Sequence, residues 1–403
     1  MPYREASNPS TGEDSVRHLY AVASPLQGNS SEEQLAEAVA RISNEFSAKG
    51  GFITNQTVFL RDPDQIESIE RRLATLHGEG KIPATSYINQ APCEPRSLLA
   101  IEAVGITGAK VEYHGPHATL VHHDGITWIQ TAHRAPVPGK TGGAYDHTLH
   151  TLTHTRRMLE GIGADIGQVV RTWFYVGGIT SDDLHSVPVT QRYKELNRAR
   201  SDFFRNIDFL ANRVPKTVGH TVYPASTGIG MAGEEIRLST LALLTQRSDV
   251  VTVPLENPRQ TAAFDYARHY SPQSPKFSRA MAVVNGNQAI TYVSGTASIT
   301  ASETRHAGDA ARQTEETLEN IRALIGEDNL AKHGLPGFGT DLDGLGLVRA
   351  YVKNVEDYPA IRAVCEKRLG TRPILYAIGD VCRDDLLVEL EGIAHSTRAS
   401  TAG

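Results

Sequence analysis

The sequence predicts an α+β protein made of three similar units packed about a pseudo-threefold axis. Two observations predict it: one β-α-β-α-β-β order can be read three times along the chain, and the segments joining the copies are short. A third observation makes the copies unequal. A Glu-bearing last strand with a Cys ahead of it is complete only in the third copy, which points to one specialised site on a repeated scaffold.

The first copy reads as a strand over 19–23, a helix over 32–46, a strand over 51–60, a helix over 65–76 and a strand over 98–105. The second repeats this order with a strand over 126–131, a helix over 145–162, a strand over 169–176, a helix around 193–204 and a strand over 236–244. In the third, an apolar strand over 289–293 leads through Ser294-Gly295-Thr296-Ala297-Ser298 to a helix with apolar positions at Ala310, Leu318, Ile321 and Leu324. That helix has Asp309 at its start and stops at Gly326. A strand over 345–352, a helix over 355–369 and strands over 374–377 and 386–394 complete the unit.

Glycine, proline and histidine cluster at 105–116 and 246–260, which are read as linkers. They divide the chain into units over 1–110, 111–248 and 249–403. The stretch 260–279 is an unusual insertion, rich in aromatic residues and proline: Tyr266, Tyr270, Pro272, Pro275 and Phe277 precede Arg279. A solvated spacer does not carry so many rings, so the insertion either covers the core of the third unit or walls a pocket.

Composition sets the outer bounds. With 403 residues, 40% of them hydrophobic and 21% charged, the chain is long enough for several cores. A net charge of -6 and the lack of a Lys/Arg run give no electrostatic case for nucleic acid. Residues 1–15 are polar, without a signal core, and no stretch approaches the roughly 18 apolar residues of a membrane helix, so a cytoplasmic protein is expected. Cys93, Cys365 and Cys382 are too few and scattered for a disulfide framework or zinc cluster.

Several motif matches are set aside. Gly228-Ile229-Gly230-Met231-Ala232-Gly233 fits a dinucleotide fingerprint in letters, but a strand rather than a helix follows it. Gly139-Lys140-Thr141 resembles the end of a phosphate loop, with Arg134 where its first glycine belongs. His147, His150 and His154 share a helix face without an acid or Cys to complete a ligand set. Neither cofactor nor metal is expected.

In Val388-Glu389-Leu390-Glu391-Gly392, strand alternation puts Glu389 and Glu391 on one face. One reading is a solvated outer face. The other is chemical: the matching strand of copy one keeps Glu102 as the counterpart of Glu391 but has Ala100 in place of Glu389, and copy two has neither acid. Burial beside a pocket raises a carboxyl pKa into the range of a general acid, which makes Glu389 the catalytic candidate.

At these residues the chain resembles the Rid (YjgF) superfamily, whose small proteins form trimers of a chorismate-mutase-like α+β fold with ligand sites at subunit interfaces. The resemblance lies in Tyr292-Val293-Ser294-Gly295, the helix over 313–325 and the ending Val388-Glu389-Leu390-Glu391-Gly392-Ile393-Ala394. Copies two and three are similar to the chorismatase branch, which includes 3-hydroxybenzoate synthases and mimics the trimer within one polypeptide. The supporting motifs are Arg171-Thr172-Trp173, Tyr193 with Arg200, Pro224-Ala225-Ser226-Thr227-Gly228, Glu256-Asn257-Pro258, Tyr266 and Tyr270 before Arg279, and Cys382-Arg383-Asp384-Asp385-Leu386. The fold implied is three chorismate-mutase-like units forming an intramolecular pseudo-trimer, as a monomer or loose homo-oligomer.

The resemblance also implies a chemistry. Chorismate has two carboxylates and an enol ether. Arg200 and Arg279 would clamp the acids through bidentate geometry, Tyr193 and Tyr270 would donate hydrogen bonds, and Glu389 would protonate the enol ether so that pyruvate leaves. Gly295 and Cys382 look like the small pocket residues of the 3-hydroxybenzoate type, tied to secondary metabolism, although Cys382 reads equally well as a small buried residue. Two features depart from the branch. Phe174 stands where chorismatases carry Asn after Arg-Thr-Trp, reshaping a polar neighbourhood expected to touch substrate, so the expected substrate is chorismate or a related anionic cyclic compound. Arg372 resembles the carboxylate-binding arginine of small Rid enamine and imine deaminases, or is an ordinary surface arginine at a turn. A Rid-type deaminase using Arg372 and Glu389, and a non-catalytic ligand-binding pseudo-trimer, therefore stand beside the chorismatase reading.

Overall fold

The structure, a computed structural model, describes residues 16–78, 80–133, 142–263 and 274–399. The first unit comprises β1 (Arg17–Ala23), α1 (Ser31–Ser47), β2 (Phe52–Leu60), α2 (Ile66–His77), β3 (Ala84–Ile88) and β4 (Leu99–Thr107). The second has β5 (Lys110–His114), β6 (Ala118–His123), β7 (Ile126–His133), α3 (Ala144–Gly161), β8 (Val169–Gly177), the short β9 (Asp182–Asp183) and β10 (Thr190–Gln191), α4 (Arg192–Phe204), β11 (Ala225–Met231) and β12 (Ile236–Thr245). The third holds β13 (Val251–Leu255), β14 (Ala280–Asn285), β15 (Gln288–Ala297), the short β16 (Ile299–Thr300) and β17 (Glu303–Thr304), α5 (Ala310–Ile325), α6 (Glu327–Lys332), β18 (Leu345–Val352), α7 (Tyr358–Leu369), β19 (Ile374–Ile378) and β20 (Val388–Thr397).

The repeat is visible in strand order. The first sheet runs β1-β4-β2-β3, and the same order recurs as β7-β12-β8-β11 in the second and β15-β20-β18-β19 in the third. In each sheet only the last pair is parallel, since the chain returns to it through a crossover helix. The second and third sheets grow to six strands by adding β6-β5 and β14-β13 beside their first strands. These added strands correct the linker reading: the stretch 105–116 belongs largely to the sheets, carrying the end of β4 and all of β5, and the stretch 246–260 carries β13 at its centre.

Helix ends follow local chemistry. The Ser30 side chain caps α1 by accepting from the Glu33 N–H, and Leu35, Ala38, Val39, Ile42 and Phe46 form its buried stripe. Asp309 caps α5 in the same way, and Gly370, at φ 64°, ends α7. No helix among the described residues is long and apolar enough to cross a membrane.

Each sheet buries one face under its own helices and turns the other toward the two remaining sheets. In the first unit, Ile42, Phe46, Ile69 and Leu73 pack on Leu19, Val58 and Ile101. On the opposite faces Phe59 and Ala100, Tyr175 and Ile229, and Tyr351 and Leu375 meet in one inter-sheet core drawn from all three units. Strand pairing aligns Phe59 with Ala100, Tyr175 with Arg237, and Tyr351 with Glu389. The three last strands thus present Ala, Arg and Glu at equivalent positions. Arg237 donates to the Tyr87 carbonyl of the first unit and fills that interface, leaving a carboxyl at one of the three.

Candidate active site

A cleft of about 310 Å³ lies between the second and third sheets, within the range of small-ligand sites. The helix α4 supplies Tyr193 and Arg200 and the strand β11 supplies Ser226 and Gly228. From the third unit come Gly295 on β15, Cys382 and Arg383 on the loop before β20, and Glu389 on β20 itself. Pro275, Phe277 and Arg279, at the described end of the aromatic insertion, close one wall. Tyr266, Tyr270 and the 139–141 stretch lie outside the described residues.

The cations are buried and held. Arg200 is 2% exposed, donates to Asn197 Oδ1 at 2.6 Å and to Ser226 Oγ at 3.2 Å, and keeps its Nε without a partner. Burial lowers its pKa to about 10, so it stays charged at neutral pH. Arg279 is 5% exposed and donates to the Thr261 carbonyl at 2.9 Å. Burial raises the Tyr193 phenol, leaving it a neutral hydrogen-bond donor facing Arg200.

Glu389 is the unusual group. Burial pushes its carboxyl up to about 8 and the neighbouring Glu391 adds to the rise, while Arg171 and Arg279 pull against it. It is therefore a protonated acid at neutral pH. Burial and Glu389 raise the Cys382 thiol to about 12, so the position offers a small neutral group rather than a thiolate.

Glu391, on the same strand face, has a different environment. Arg171 Nη2 donates to it at 2.6 Å, Tyr351 at 3.0 Å, and Trp173 Nε1 and Arg349 Nη1 at 3.1 Å, with the Thr227 hydroxyl as a further donor. Two cations and three neutral donors compensate its burial. The Arg171-Thr172-Trp173 motif thus serves Glu391.

Two sequence expectations are corrected. Phe174 does not line the cleft: alternation along β8 turns Arg171, Trp173 and Tyr175 toward the inter-sheet core and Phe174 into the helix-covered core, with its ring 5.8 Å from the Arg200 guanidinium carbon. Arg372 is also elsewhere. It donates to the Leu369 carbonyl and to Asp343 Oδ1 at 2.6 Å, in a groove between the first and third units. The enamine deaminase reading, which required Arg372 beside Glu389, loses its carboxylate anchor.

Residues not singled out from sequence also line the cleft, notably Gln191 and Lys194. Asn197, which holds Arg200, lies four residues after Tyr193 and three before Arg200, a buried polar stripe that helical spacing alone reveals. An internal cavity near the pseudo-threefold axis, lined by Tyr20, Trp128 and Tyr292 of the three first strands, has about 60 Å³, space for only a few waters. Among the described residues no group of three His, Cys, Asp or Glu side chains is arranged to hold a metal.

No protein-family model matches the chain. It is 33% identical to a 3-hydroxybenzoate synthase of Streptomyces hygroscopicus over 295 residues, covering 72% of this chain and 80% of that protein. It is 34% identical to a chorismatase of Streptomyces rapamycinicus over 283 residues, covering 67% and 77%. A crystal structure of a chorismatase superposes with a TM-score of 0.67 at 21% identity, covering 94% of this chain and 98% of that one, so the two share a fold.

Proposed function

The chain belongs to the chorismatase family, and from that premise we propose that it removes pyruvate from chorismate to give 3-hydroxybenzoate. The observation that carries this reading is a carboxyl, Glu389, kept protonated near neutral pH in a cleft with two buried arginines. Chorismate needs both: cations for its two carboxylates and a proton donor for its enolpyruvyl methylene.

Arg200 and Arg279 each take one carboxylate, and Tyr193 donates to an oxygen of the bound substrate. Glu389 delivers its proton to the methylene carbon, placing positive charge on the adjacent carbon of the enol ether. The ether bond to ring C3 then breaks and its oxygen leaves as the ketone of pyruvate, while the neighbouring C4 hydroxyl bridges to C3 and gives up its proton, which restores Glu389. Opening of the C4–O bond with loss of the C3 proton aromatises the ring and leaves that oxygen on C3 as the 3-hydroxyl. The overall reaction consumes no water and changes no oxidation state beyond the substrate's own rearrangement. The small residues Gly295 and Cys382 in the cleft lining favour the intramolecular route over hydrolysis by letting the substrate pack where water would otherwise reach the activated carbon. We place the enzyme in the cytoplasm, as a monomer or loose homo-oligomer acting on a small anionic substrate.

The experiment is incubation of the purified protein with chorismate and identification of products by mass spectrometry. Equal amounts of 3-hydroxybenzoate and pyruvate are expected. Unchanged chorismate, or a dihydrodiol as sole ring product, sinks the assignment of this reaction.

A further inference from the structure

The cleft takes its lining from the second and third units alone, yet the first unit is wired to it. Glu102 on β4 is 2% exposed and grips Arg349 of β18 with both oxygens, Nε and Nη2 each donating at 2.6 Å. Arg349 Nη1 then donates to Glu391 at 3.1 Å, and Glu391 lies two residues from Glu389 on the same strand face. A second branch runs from Glu391 through Thr227, whose Oγ1 accepts the Gly295 N–H at 2.9 Å, and Gly295 packs against the Glu389 carboxyl. Strand pairing puts Thr57 opposite Glu102, Trp173 opposite Ser239 and Arg349 opposite Glu391, so an arginine occupies this position in the third unit only.

A scaffold alone has no need of this chain of charges. A buried acid–base pair gives little net stability over apolar packing of the same volume, whereas it fixes the field felt by its neighbours. We infer that Glu102 is a positioning residue for the reaction: by pairing with Arg349 it limits how far that cation neutralises Glu391, and so keeps negative charge facing Glu389. This rests on Glu389 being the acid. The other titratable or charged groups that face Glu389 or line its cleft among the described residues are Tyr193, Lys194 and Arg200 of α4, Arg171 of β8, Tyr351 of β18, and Arg279, Cys382, Arg383 and Asp384 of the adjoining loops. None of these is supplied by the first unit.

The test compares Glu102→Gln with the parent by two readouts: the alkaline limb of the kcat profile, and the pH dependence of the melting-temperature change that Glu389→Gln produces. The second readout needs no substrate. In the Glu102→Gln background both midpoints should move to lower pH together, by on the order of one unit, with the acidic plateau of kcat reduced less than about threefold. A lower melting temperature with both midpoints unmoved overturns the inference and leaves a structural role. Absence of any Glu389-dependent midpoint in the parent overturns the acid assignment as well, which separates the two failures. Should the Glu102→Gln protein not fold, the paired replacement Glu102→Gln with Arg349→Gln removes both charges. Because Arg349 is the nearer of the two to Glu391, the midpoint should then move to higher pH, and a fixed midpoint is again the overturning result.

Discussion

Gly295 and Glu389 occupy each other's space: a Cβ built on Gly295 would stand 2.9 Å from the Glu389 carboxyl carbon and overlap its Oε1. Thr227 closes the other side, its methyl 3.2 Å from the same point. The acid is thus pinned between a glycine and a strand, and its orientation depends on the missing side chain.

Replacing Gly295 by Ala should therefore act through the acid. The methyl group displaces the carboxyl from its packed position, and a misplacement of about 1 Å costs on the order of a hundredfold in rate. Turnover is expected to fall at least tenfold with little loss of folded protein, and any residual product should contain more dihydrodiol as the disturbed lining admits water. Steady-state kinetics with product analysis checks both, and full activity in Gly295→Ala protein would remove the packing argument.

Glu389→Gln should lose activity and gain stability. Its turnover should drop by on the order of a hundredfold or more, because Gln cannot give up a proton. The stability sign follows from the raised pKa. An unfolded carboxyl with a pKa near 4.5 ionises where the folded one, near 8, stays protonated, so the native state binds more protons and stability is lost as pH rises from 4.5 to 8. Gln does not titrate and loses nothing. The variant should gain on the parent over this window, by roughly 2 kcal/mol at pH 8 after discounting the cost of burying an amide. Denaturant melts at pH 5 and pH 8 measure it, and a gain that does not grow with pH contradicts the raised pKa.

Arg279→Ala should raise KM before it lowers kcat, since it removes a contact already present in the ground state. The expected rise is about tenfold or more. Arg279→Lys should recover only part of the affinity, because an ammonium cannot form the two parallel bonds of a guanidinium. A KM equal to the parent's in the Ala variant would place the substrate carboxylate elsewhere in the cleft.

Much of this is legible in sequence. The periodicity of 310–325 with Asp309 and Gly326 at its ends defines α5 almost to the residue, and the strand over 345–352 coincides with β18. The strand β11 is not, because Gly228 and Gly230 fall in a glycine-rich run that draws attention as a dinucleotide fingerprint, whereas Gly230 permits close approach: a Cβ there would stand 2.8 Å from Asp380. Phe174 is misplaced by sequence reasoning although its alternation with Arg171 and Trp173 contains the answer. Arg372 is misplaced because sequence does not say which groove a turn faces. The Glu102–Arg349 pair, 247 positions apart, leaves only its two ends in the sequence, an acid inside the apolar strand Leu99–Thr107 and an arginine inside Leu345–Val352, with nothing to say that they meet.

Acid should loosen the contact between units at a cluster of histidines. His18 on β1, His123 on β6 and His395 on β20 bring one histidine from each unit together, with the His18 ring 5.4 Å from His395 and 6.3 Å from His123. Tyr20 Oη lies 2.6 Å from His395 Nε2, a bond in which the neutral ring accepts the phenol proton. Burial lowers His395 to about 4, and burial with the two neighbouring rings lowers His18 as well, while Asp124 beside His123 is the nearby acid. An unfolded histidine titrates near 6.5. Stability from His395 is therefore complete above that pH, declines as the unfolded state takes up protons, and has been lost by about pH 4, where the folded ring also charges. The loss from His395 should be on the order of 2 kcal/mol. His395→Gln removes the ring that must stay neutral, so between pH 6.5 and 4 its denaturant midpoint should fall less steeply than the parent's, even if it starts lower for want of the Tyr20 bond. Parallel slopes across that window would mean that the three-histidine contact does not set the acid sensitivity of the inter-unit core.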